Sequence, residues 1–502
     1  MSLKIEPWDQ YNQQLVNEVH PPEWENPDPL KEYHLVVLGA GPAGLVVAAG
    51  ASSLGAKVAL VEKNLMGGDC LNVGCVPSKS LIRSGRAAYA LKEANEMGLE
   101  DVKGQVNFEK VMERLRYIRS SIAHHDSARR FSEMGIHVFI GEGKFLDGRR
   151  IEVAGKELRF RKAVVATGAR AFFPPIPGLE EVGFLTNENL FSLTQLPRKI
   201  LVIGGGPIGC EISQSFQRLG SEVTIVEMMD QFLIREDKDA AQILKDQLLE
   251  EGVKIFLSST VGRVEKMGDQ KKAYIQTPQE EIEWQGDAIL IGAGRVPNVD
   301  GIGLEKAGVE YDKRKGLLVQ ETLVTTNPRI YGAGDVCLPY KFTHTADFTA
   351  RIVLENALFG RKKKWTDLQI PWCTYTDPEI AHIGIYEHEA KKKGIPIDTY
   401  KKDFNEIDRS IIEGHKGFIK VHTQKGKDKI LGATIVAPHA GEMIGEIALA
   451  MKYNIGLAKI SQVIHPYPTE AEGIRSVGDL YNKTRLTPFV QKLLKWLIWW
   501  RC

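Results

Sequence analysis

The sequence predicts an α/β protein of several domains in which one strand–turn–helix–strand unit occurs twice. The first copy reads YHLVVLGAGPAGLVVAAGASSLGAKVALVEK and the second KILVIGGGPIGCEISQSFQRLGSEVTIVE; in both, an apolar strand runs into three closely spaced glycines. The chain of 502 residues is also too long for one compact core. About two to four domains are therefore expected.

In the first unit, a strand over His34–Leu38 leads into Gly39-x-Gly41-x-x-Gly44, a small-residue helix and a second strand ending at Glu62. Gly39 permits the tight turn, Gly41 lets the backbone approach a pyrophosphate at the helix N-terminus, and Gly44 allows close helix–strand packing. Glu62 lies 23 positions beyond Gly39, where it can accept hydrogen bonds from a ribose diol. Together these features predict a Rossmann-like dinucleotide-binding unit.

The second unit repeats this spacing, with Glu227 again 23 positions beyond the first glycine. Two such units predict two dinucleotides, one tightly held and one exchangeable, which is how a flavin and a nicotinamide are brought face to face. Glu227 favours NADH over NADPH, because a carboxylate accepts from the free 2′-hydroxyl and repels a 2′-phosphate. Residues 228–230 offer no arginine for that phosphate, while Arg235 is either such a contact or a solvated surface charge. The three glycines are Gly204, Gly206 and Gly209.

The composition predicts a soluble, cytoplasmic protein. A formal net charge of +1 gives no reason to expect nucleic-acid or bulk membrane binding. Four of the six cysteines are scattered, at 210, 337, 373 and 502, so they do not form an extracellular disulfide framework. No charged-then-apolar leader precedes Leu35, and no apolar run approaches the roughly 18–20 residues needed to span a bilayer.

The other two cysteines lie in GGDCLNVGCVPSK, with four residues between Cys70 and Cys75. A zinc site would need two further ligands at suitable spacing, and the sequence has no second clustered pair. A structural disulfide would be unusual in a reducing cytosol. The pair follows the first dinucleotide unit at the expected N-terminal turn of a helix, which stabilises a thiolate. A reversible redox disulfide beside a flavin is therefore predicted.

GGDCLNVGCVPSK resembles the redox motif of the class I pyridine nucleotide–disulfide oxidoreductases, flavoenzymes that include dihydrolipoyl dehydrogenase, glutathione reductase and mercuric reductase. The resemblance spans roughly residues 31–485 and includes VVATGAR, IGAGRVPN and TNPRIYGAGDV in order. It implies a homodimer whose active site is completed by the partner subunit. It also implies an FAD-binding domain (31–185), an NAD-binding domain (186–296), a central segment completing the FAD site (297–364) and an α+β dimerisation domain (365–485). Composition adds a flexible lead-in (1–30), rich in proline and acids, and an amphipathic Trp-rich tail (486–502).

The same resemblance implies roles for individual residues. Cys75 would lie against the flavin as the charge-transfer thiolate, Cys70 would meet the acceptor, and Lys79 would pair with Glu211. Electrons would pass from NADH through FAD to the Cys70–Cys75 disulfide and on to an acceptor. The expected FAD contacts are Gly39, Gly41, Gly44, Glu62, Gly68, Lys79, Gly143, Thr167, Gly168 and Asp335, and the expected NAD contacts are Gly204, Gly206, Gly209, Glu227 and Gly294.

The segment HPYPTEAE bears on the acceptor. In disulfide-reducing members a histidine five residues before a glutamate is the general base; here Glu472 keeps its place, but Tyr467 holds the base position. Tyrosine, with an ordinary pKa near 10, is a poor proton acceptor at neutral pH. His465 could serve instead if its side chain turned inward. Because the run resembles mercuric reductase, a soft metal ion bound at the thiol pair is the leading acceptor, and dihydrolipoamide or another disulfide is the alternative.

Two further departures affect this interpretation. Mercuric reductases end in an adjacent cysteine pair, whereas this chain has the single Cys502, which could assist a soft metal but cannot chelate one alone. Asp69 stands where many relatives carry threonine. Its carboxylate either disfavours the Cys70 thiolate or caps the helix.

Residues 488–502, PFVQKLLKWLIWWRC, are mostly apolar, with three tryptophans and three cationic residues. They are too short to span a bilayer but suit an interfacial helix in the headgroup region. The alternative is a helix packed on the dimer surface. The first interpretation predicts peripheral membrane contact, and with it a third possible function, a membrane-docked NADH sensor or electron-input partner.

Overall fold

A computed structural model of the protein describes residues 5–502 and divides the chain into two compact units. The first unit runs up to Met228 and resumes over Lys254–Leu368; the second comprises Met229–Val253 and Gln369–Cys502. Residues 1–4 of the predicted lead-in lie outside the described residues. The first unit is α/β, with a mixed central sheet and a second, parallel sheet, and the second unit contains an antiparallel sheet with helices, so the predicted fold class is confirmed.

A seven-stranded mixed sheet forms the centre of the first unit. Its strand Tyr33–Leu38 lies between two parallel neighbours, and Leu35, Val36 and Val37 are fully buried. Strands covered on both faces read as continuous apolar runs, which explains YHLVVL and VALVE. In spatial order the strands are His137–Ile140, Val58–Glu62, Tyr33–Leu38, Lys156–Val165, Arg150–Val153 and Gly143–Asp147, with Ile330–Gly332 also pairing with Lys156–Val165.

A second, four-stranded parallel sheet belongs to the same unit. Its order is Lys254–Phe256, Glu222–Val226, Lys199–Ile203 and Ala288–Ile291. In each sheet the glycine-rich loop follows a strand that is parallel to both neighbours, and such strand ends are where open α/β sheets bind nucleotides. The smaller sheets are Thr260–Met267 with Gln270–Gln276 and Glu281–Gly286, Ala169–Ala171 with Arg295–Pro297, and Tyr311–Asp312 with Gly316–Leu317.

The helices of the first unit include one on each glycine loop. Pro42–Ser53 and Pro207–Leu219 both begin with proline, whose missing N–H costs nothing at that position. The helix Thr343–Phe359 begins inside the segment KFTHTAD. The others are Gln10–Val19, Gly68–Asn72, Cys75–Glu93, Phe108–Ala123, Ala128–Glu133, Leu179–Val182 and Asn187–Leu190.

The predicted lead-in differs from the structure. Residues Gln10–Val19 form a helix, and the side chains of Leu15 and Val19 are fully buried in the core of the first unit. Asp9 caps this helix by accepting from the Asn12 N–H at 2.9 Å, and its other carboxylate oxygen accepts from Arg116 at 2.5 Å. The segment is therefore an integral part of the fold, because distant groups satisfy its polar residues.

The second unit is built on a five-stranded antiparallel sheet. Its strand Ile430–Ala437 is almost entirely buried, and the helix Ala440–Lys452 packs against it through Ile444 and Ile447. In spatial order the strands are Trp372–Thr374, Glu379–Gly384, Ile430–Ala437, Phe418–Gln424 and Ile397–Asp403. The helices are Lys238–Glu250, Glu387–Lys393, Asp408–Glu413, Ala440–Lys452, Leu457–Ile460, Glu472–Thr484 and Pro488–Arg501.

A buried carboxyl group joins distant parts of this second unit. Glu236 is 5% exposed and accepts hydrogen bonds from the Tyr386 hydroxyl at 2.6 Å and the Trp372 indole at 2.9 Å. Burial raises the pKa of Glu236 to about 7. Next to it, Asp237 pairs with the buried Lys420 at 2.7 Å. Both acids therefore fix the segment around 233–237 to the antiparallel sheet.

Candidate redox site

The first glycine loop is held in a conformation that side chains would prevent. Gly39 has a φ of +105°, and a Cβ there would lie 2.4 Å from a backbone oxygen. A Cβ on Gly44 would lie 1.8 Å from the Gly39 oxygen. The carboxylate of Glu62 accepts from the Ala40 N–H at 2.7 Å, and burial raises its pKa. The acid expected to meet a ribose is thus anchored on the loop itself.

The second loop repeats this arrangement. Gly204 has a φ of +109°, and a Cβ on Gly209 would lie 2.1 Å from the Gly204 oxygen. Glu227 accepts from the Gly205 N–H at 2.7 Å, as Glu62 does in the first loop. Gly206 is the N-cap of the following helix. In both loops, therefore, the amide after the first glycine orients the acid, which is the last residue of the second strand in one unit and the residue directly after it in the other.

The two cysteines lie on successive helices. Cys70 is in the short helix Gly68–Asn72, and Cys75 is the first residue of the helix Cys75–Glu93. Between them, Gly74 passes so close that a Cβ there would lie 2.7 Å from the Asp69 oxygen. The predicted position of the second thiol at a helix N-terminus is present, where unpaired N–H groups favour a thiolate.

Polar side chains that the sequence analysis did not identify hold this turn. The Asn72 amide donates to the Met66 and Gly68 carbonyls at 3.0 and 2.8 Å. The buried Arg119 donates to the Asn72 carbonyl at 2.8 Å. The asparagine between the two cysteines, in the segment LNVG, was the feature of the sequence that could have predicted the Asn72 hydrogen bonds. No local pattern indicates Arg119, which lies 47 positions away.

The two thiols differ in acidity. The pKa of Cys75 is lowered to about 6, chiefly because the Cys70 thiol donates a hydrogen bond to its sulfur. The Thr343 hydroxyl, 3.3 Å from the Cys75 sulfur, and the Lys79 ammonium act in the same direction. The same thiol–thiol hydrogen bond raises the pKa of Cys70. The reduced pair therefore holds one thiolate and one neutral thiol at neutral pH. Thr343 was not among the predicted site residues.

The ion pair implied for Lys79 is present. Its ammonium lies 3.0 Å from Glu211 Oε2; Glu211 is 7% exposed and Lys79 is 39% exposed. Glu211 lies on the helix that follows the second glycine loop. The pair places one cation near Cys75, where it favours the thiolate, and balances it with a carboxylate that has the opposite effect on the Cys75 pKa.

Asp69 takes a role different from both predicted ones. Its carboxylate pairs with the guanidinium of Arg295, which also donates to the Ala169 carbonyl at 2.6 Å. Arg295 is 17% exposed, and its Nε lies 3.9 Å from Asp335 Oδ2. Burial raises the pKa of Asp335. The charge next to Cys70 is therefore neutralised by an arginine 226 positions away in sequence.

The remaining expected flavin and nicotinamide residues lie in the first unit. Thr167 donates to the Asn298 carbonyl at 2.7 Å. Gly143 begins a strand, and a Cβ there would lie 2.5 Å from a Leu38 methyl, so packing alone accounts for glycine at that position. The cofactor contacts of these residues stay predictions. The positive-φ glycines of this group are Gly168 at +69° and Gly294 at +113°.

Tyr467, His465 and Glu472, the three residues considered for the general base, lie in the second unit, and each has its own side-chain partner. The Tyr467 hydroxyl donates to Asp408 at 2.9 Å, which raises the pKa of Tyr467, and the residue is 70% exposed. The His465 side chain is 7% exposed and lies 3.2 Å from both Glu446 oxygens. Glu472 accepts from Arg475 at 2.8 Å. Neither Tyr467 nor His465 is therefore paired with Glu472.

Residues 5–502 show neither a metal-binding cluster nor a membrane-spanning helix. No group of three or more His, Cys, Asp or Glu side chains in this range is arranged to hold a metal ion. No helix in the same range is both long and apolar enough to cross a bilayer.

Two family models match the sequence. The model described as pyridine nucleotide-disulphide oxidoreductase matches residues 33–350, and the model for the dimerisation domain of the same family matches residues 370–477. The chain is a class I pyridine nucleotide–disulfide oxidoreductase. It is accordingly a flavoprotein that binds FAD and a pyridine nucleotide, with a disulfide redox centre and a dimerisation domain that supports a homodimer.

Individual family members resemble the chain about equally. It is 32% identical to a mercuric reductase of Lysinibacillus sphaericus over 90% of this chain and 83% of that protein. It is 33% identical to a dihydrolipoyl dehydrogenase of Thermus scotoductus over 90% of this chain and 98% of that protein. A solved structure of the Cu(II) complex of the HOCl-induced flavoprotein disulfide reductase RclA from Escherichia coli has a TM-score of 0.79 at 27% identity, covering 88% and 98% of the two chains.

The residues around the first loop fit the FAD of this family. A Cβ on Gly68 would lie 2.7 Å from the Gly41 Cα, so two glycines leave a backbone-lined cradle that any side chain would fill. The buried Nε of Arg295 makes no hydrogen bond with any described residue. A cradle of amides at a helix N-terminus and a spare guanidinium donor suit a pyrophosphate.

Proposed function

We propose that this oxidoreductase uses NADH to reduce a soft metal ion bound at the Cys70–Cys75 dithiol. The proposal rests on the side-chain hydrogen bonds and ion pairs made by residues 465–472. Tyr467 donates to Asp408 and Glu472 pairs with Arg475, so neither is arranged as the general base that a disulfide substrate needs. The third candidate, His465, is almost buried against Glu446.

The chain's own residues suit this acceptor. Cys75 is a thiolate at neutral pH, held by the Cys70 thiol, Thr343 and Lys79. Thiophilic ions are bound by thiolates, and a bound ion displaces the remaining thiol proton of Cys70 without a protein base. When bound, FAD would take a hydride from the nicotinamide and pass the electron pair on to the dithiol and its metal ion. Overall, NADH and a divalent ion give NAD⁺, a proton and the reduced metal.

The choice of NADH rests on Glu227. The carboxylate is oriented by the Gly205 N–H at the end of the second strand, where a dinucleotide's adenosine ribose binds in this fold. An acid there accepts from a 2′-hydroxyl and repels a 2′-phosphate. The expected contacts of Gly204, Gly206, Gly209 and Gly294 with this nucleotide belong to the same proposal.

The alternative acceptor is a disulfide such as lipoamide, the oxidised form of dihydrolipoamide. It is favoured by the match to a dihydrolipoyl dehydrogenase over 98% of that protein. Under this alternative His465 or Glu472 would have to compensate for Tyr467. A cytoplasmic location and a role as a membrane-docked sensor stay predictions.

NADH oxidation with Hg(II) in excess thiol and with lipoamide, assayed side by side on the flavin-loaded enzyme, tests the proposal. We expect rapid Hg(II)-dependent turnover and little with lipoamide. In Tyr467→His, lipoamide turnover should rise, because the variant restores a base. Tyr453→His is the matched control, since Tyr453 lies in the same unit and is also 70% exposed. Efficient lipoamide reduction by the unaltered enzyme would overturn the proposal.

A further inference from the structure

The helix Pro488–Arg501, here called the tail helix, is unlike the other long helices of the protein. None of its residues is buried. Phe489, Trp499 and Trp500 are 75%, 79% and 70% exposed. An isolated helix of this length is marginal in water, because most helical stability in proteins comes from packing an apolar face. The tail helix therefore needs a surface that its own chain does not supply.

The tail helix is nevertheless well specified by local sequence. The Thr487 hydroxyl caps it by accepting from the Val490 N–H at 3.3 Å, and Pro488 occupies the first helical position. Five of its apolar side chains share one face of the helix. That face comprises Phe489, Leu493, Trp496, Leu497 and Trp500, and all five are exposed.

The charge of this region indicates what covers the apolar face. The whole chain is nearly balanced, with 65 Lys+Arg against 64 Asp+Glu. After Asp479, in contrast, residues 480–502 contain no acid. They carry five cations: Lys483, Arg485, Lys492, Lys495 and Arg501. An apolar face flanked by cations complements a surface that is anionic outside and apolar beneath.

A second copy of the chain is a less suitable partner. The matched dimerisation domain covers residues 370–477 and stops before the tail helix. Lys492 and Lys495 lie in the middle of the helix, so an orientation along the bilayer normal would place them in hydrocarbon. Lying parallel to the surface, the helix places its tryptophans at headgroup level and its lysines among lipid phosphates.

We propose that the tail helix docks the enzyme, reversibly and in plane, onto an anionic lipid bilayer. Apolar burial of the face and attraction of the five cations act together in this docking. The attachment is independent of which acceptor the redox site uses. It brings the enzyme to the membrane surface without any change in the chemistry of the redox site.

Co-sedimentation of the full-length flavin-loaded enzyme with lipid vesicles tests this proposal. We expect binding to phosphatidylcholine vesicles that contain phosphatidylglycerol, little binding to pure phosphatidylcholine, and release by high salt. Lys492→Gln/Lys495→Gln should lower the partition coefficient about 25-fold, since each cation near an anionic surface is worth roughly fivefold. The matched control is Lys391→Gln/Lys392→Gln, which removes the same charge from exposed positions elsewhere in the second unit and should bind like the unaltered enzyme.

Three results would overturn the proposal. The first is no binding to the anionic vesicles, and the second is binding that the Lys492/Lys495 variant retains in full. The third comes from analytical ultracentrifugation of an enzyme lacking residues 488–502: conversion of dimer to monomer would show that a second copy covers the tail helix. A dimer that persists, together with loss of vesicle binding, supports lipid docking. All readouts are independent of NADH turnover.

Discussion

The acidity of Cys75 gives the most quantitative prediction. The largest cause of its lowered pKa, about 6, is the hydrogen bond from the Cys70 thiol. Cys70→Ala removes that donor and leaves Thr343 and Lys79 in place. A hydrogen bond to a charged group is worth about 1.5–3 kcal/mol, and one pKa unit corresponds to about 1.4 kcal/mol. The Cys75 midpoint should therefore rise by about one to two units, to between about 7 and 8.

The assay is the pH dependence of iodoacetamide alkylation of the reduced enzyme, followed at Cys75 by mass spectrometry. It is best performed in a Cys502→Ala background, because Cys502 is an exposed thiol that would also react. This background substitution should itself leave the Cys75 midpoint near 6. If Cys70→Ala also leaves the midpoint near 6, the thiol–thiol hydrogen bond does not control the acidity of Cys75, and the reasoning is refuted.

Three further predictions concern other acids. Asp69→Asn should weaken FAD binding, because Arg295 loses its charged partner. The loss of one polar interaction corresponds to an affinity about fivefold to tenfold lower. Fluorescence titration of the apoenzyme with FAD measures this affinity, and an unchanged value would contradict the prediction. Glu227→Ala should raise the KM for NADH about tenfold and change the KM for NADPH little. Steady-state kinetics with both nucleotides measure this, and an unchanged ratio of the two KM values would contradict the role of Glu227 at the adenosine ribose. Burial raises the pKa of Glu236 to about 7, against about 4.3 in the unfolded chain. The contribution of this group to the free energy of unfolding is therefore fully present below about pH 4.3, and about 4 kcal/mol of it is lost as the pH rises through 7. Urea unfolding should show that Glu236→Gln reduces this loss between about pH 4 and 7, and an equal loss in the variant would refute the cause.

The predictions that held depend on short-range patterns. The strand ending at Leu38 and the position of Glu62 could be predicted because the spacing of the glycines between them is specific for a dinucleotide-binding turn. The helix start at Cys75 was also predictable, because its motif carries the turn residues that precede it. In each case the physical requirement and the residues that meet it lie within about thirty positions.

The features that were missed depend on distant partners. The helix Gln10–Val19 is rich in polar residues, and only the packing of Leu15 and Val19 against the core shows why it is ordered. Asp69 could not be interpreted without Arg295. Sequence patterns likewise cannot show that Glu236 accepts from side chains 136 and 150 positions away.

The most direct test of the central claim is the stoichiometry of product formation. With Hg(II) in excess thiol and without oxygen, the enzyme should release one volatile Hg(0) for each NADH consumed. Replacing Cys70 or Cys75 by alanine should abolish this release. NADH consumption without Hg(0), or lipoamide reduction that is faster than Hg(II) reduction under the same conditions, would contradict the proposed acceptor.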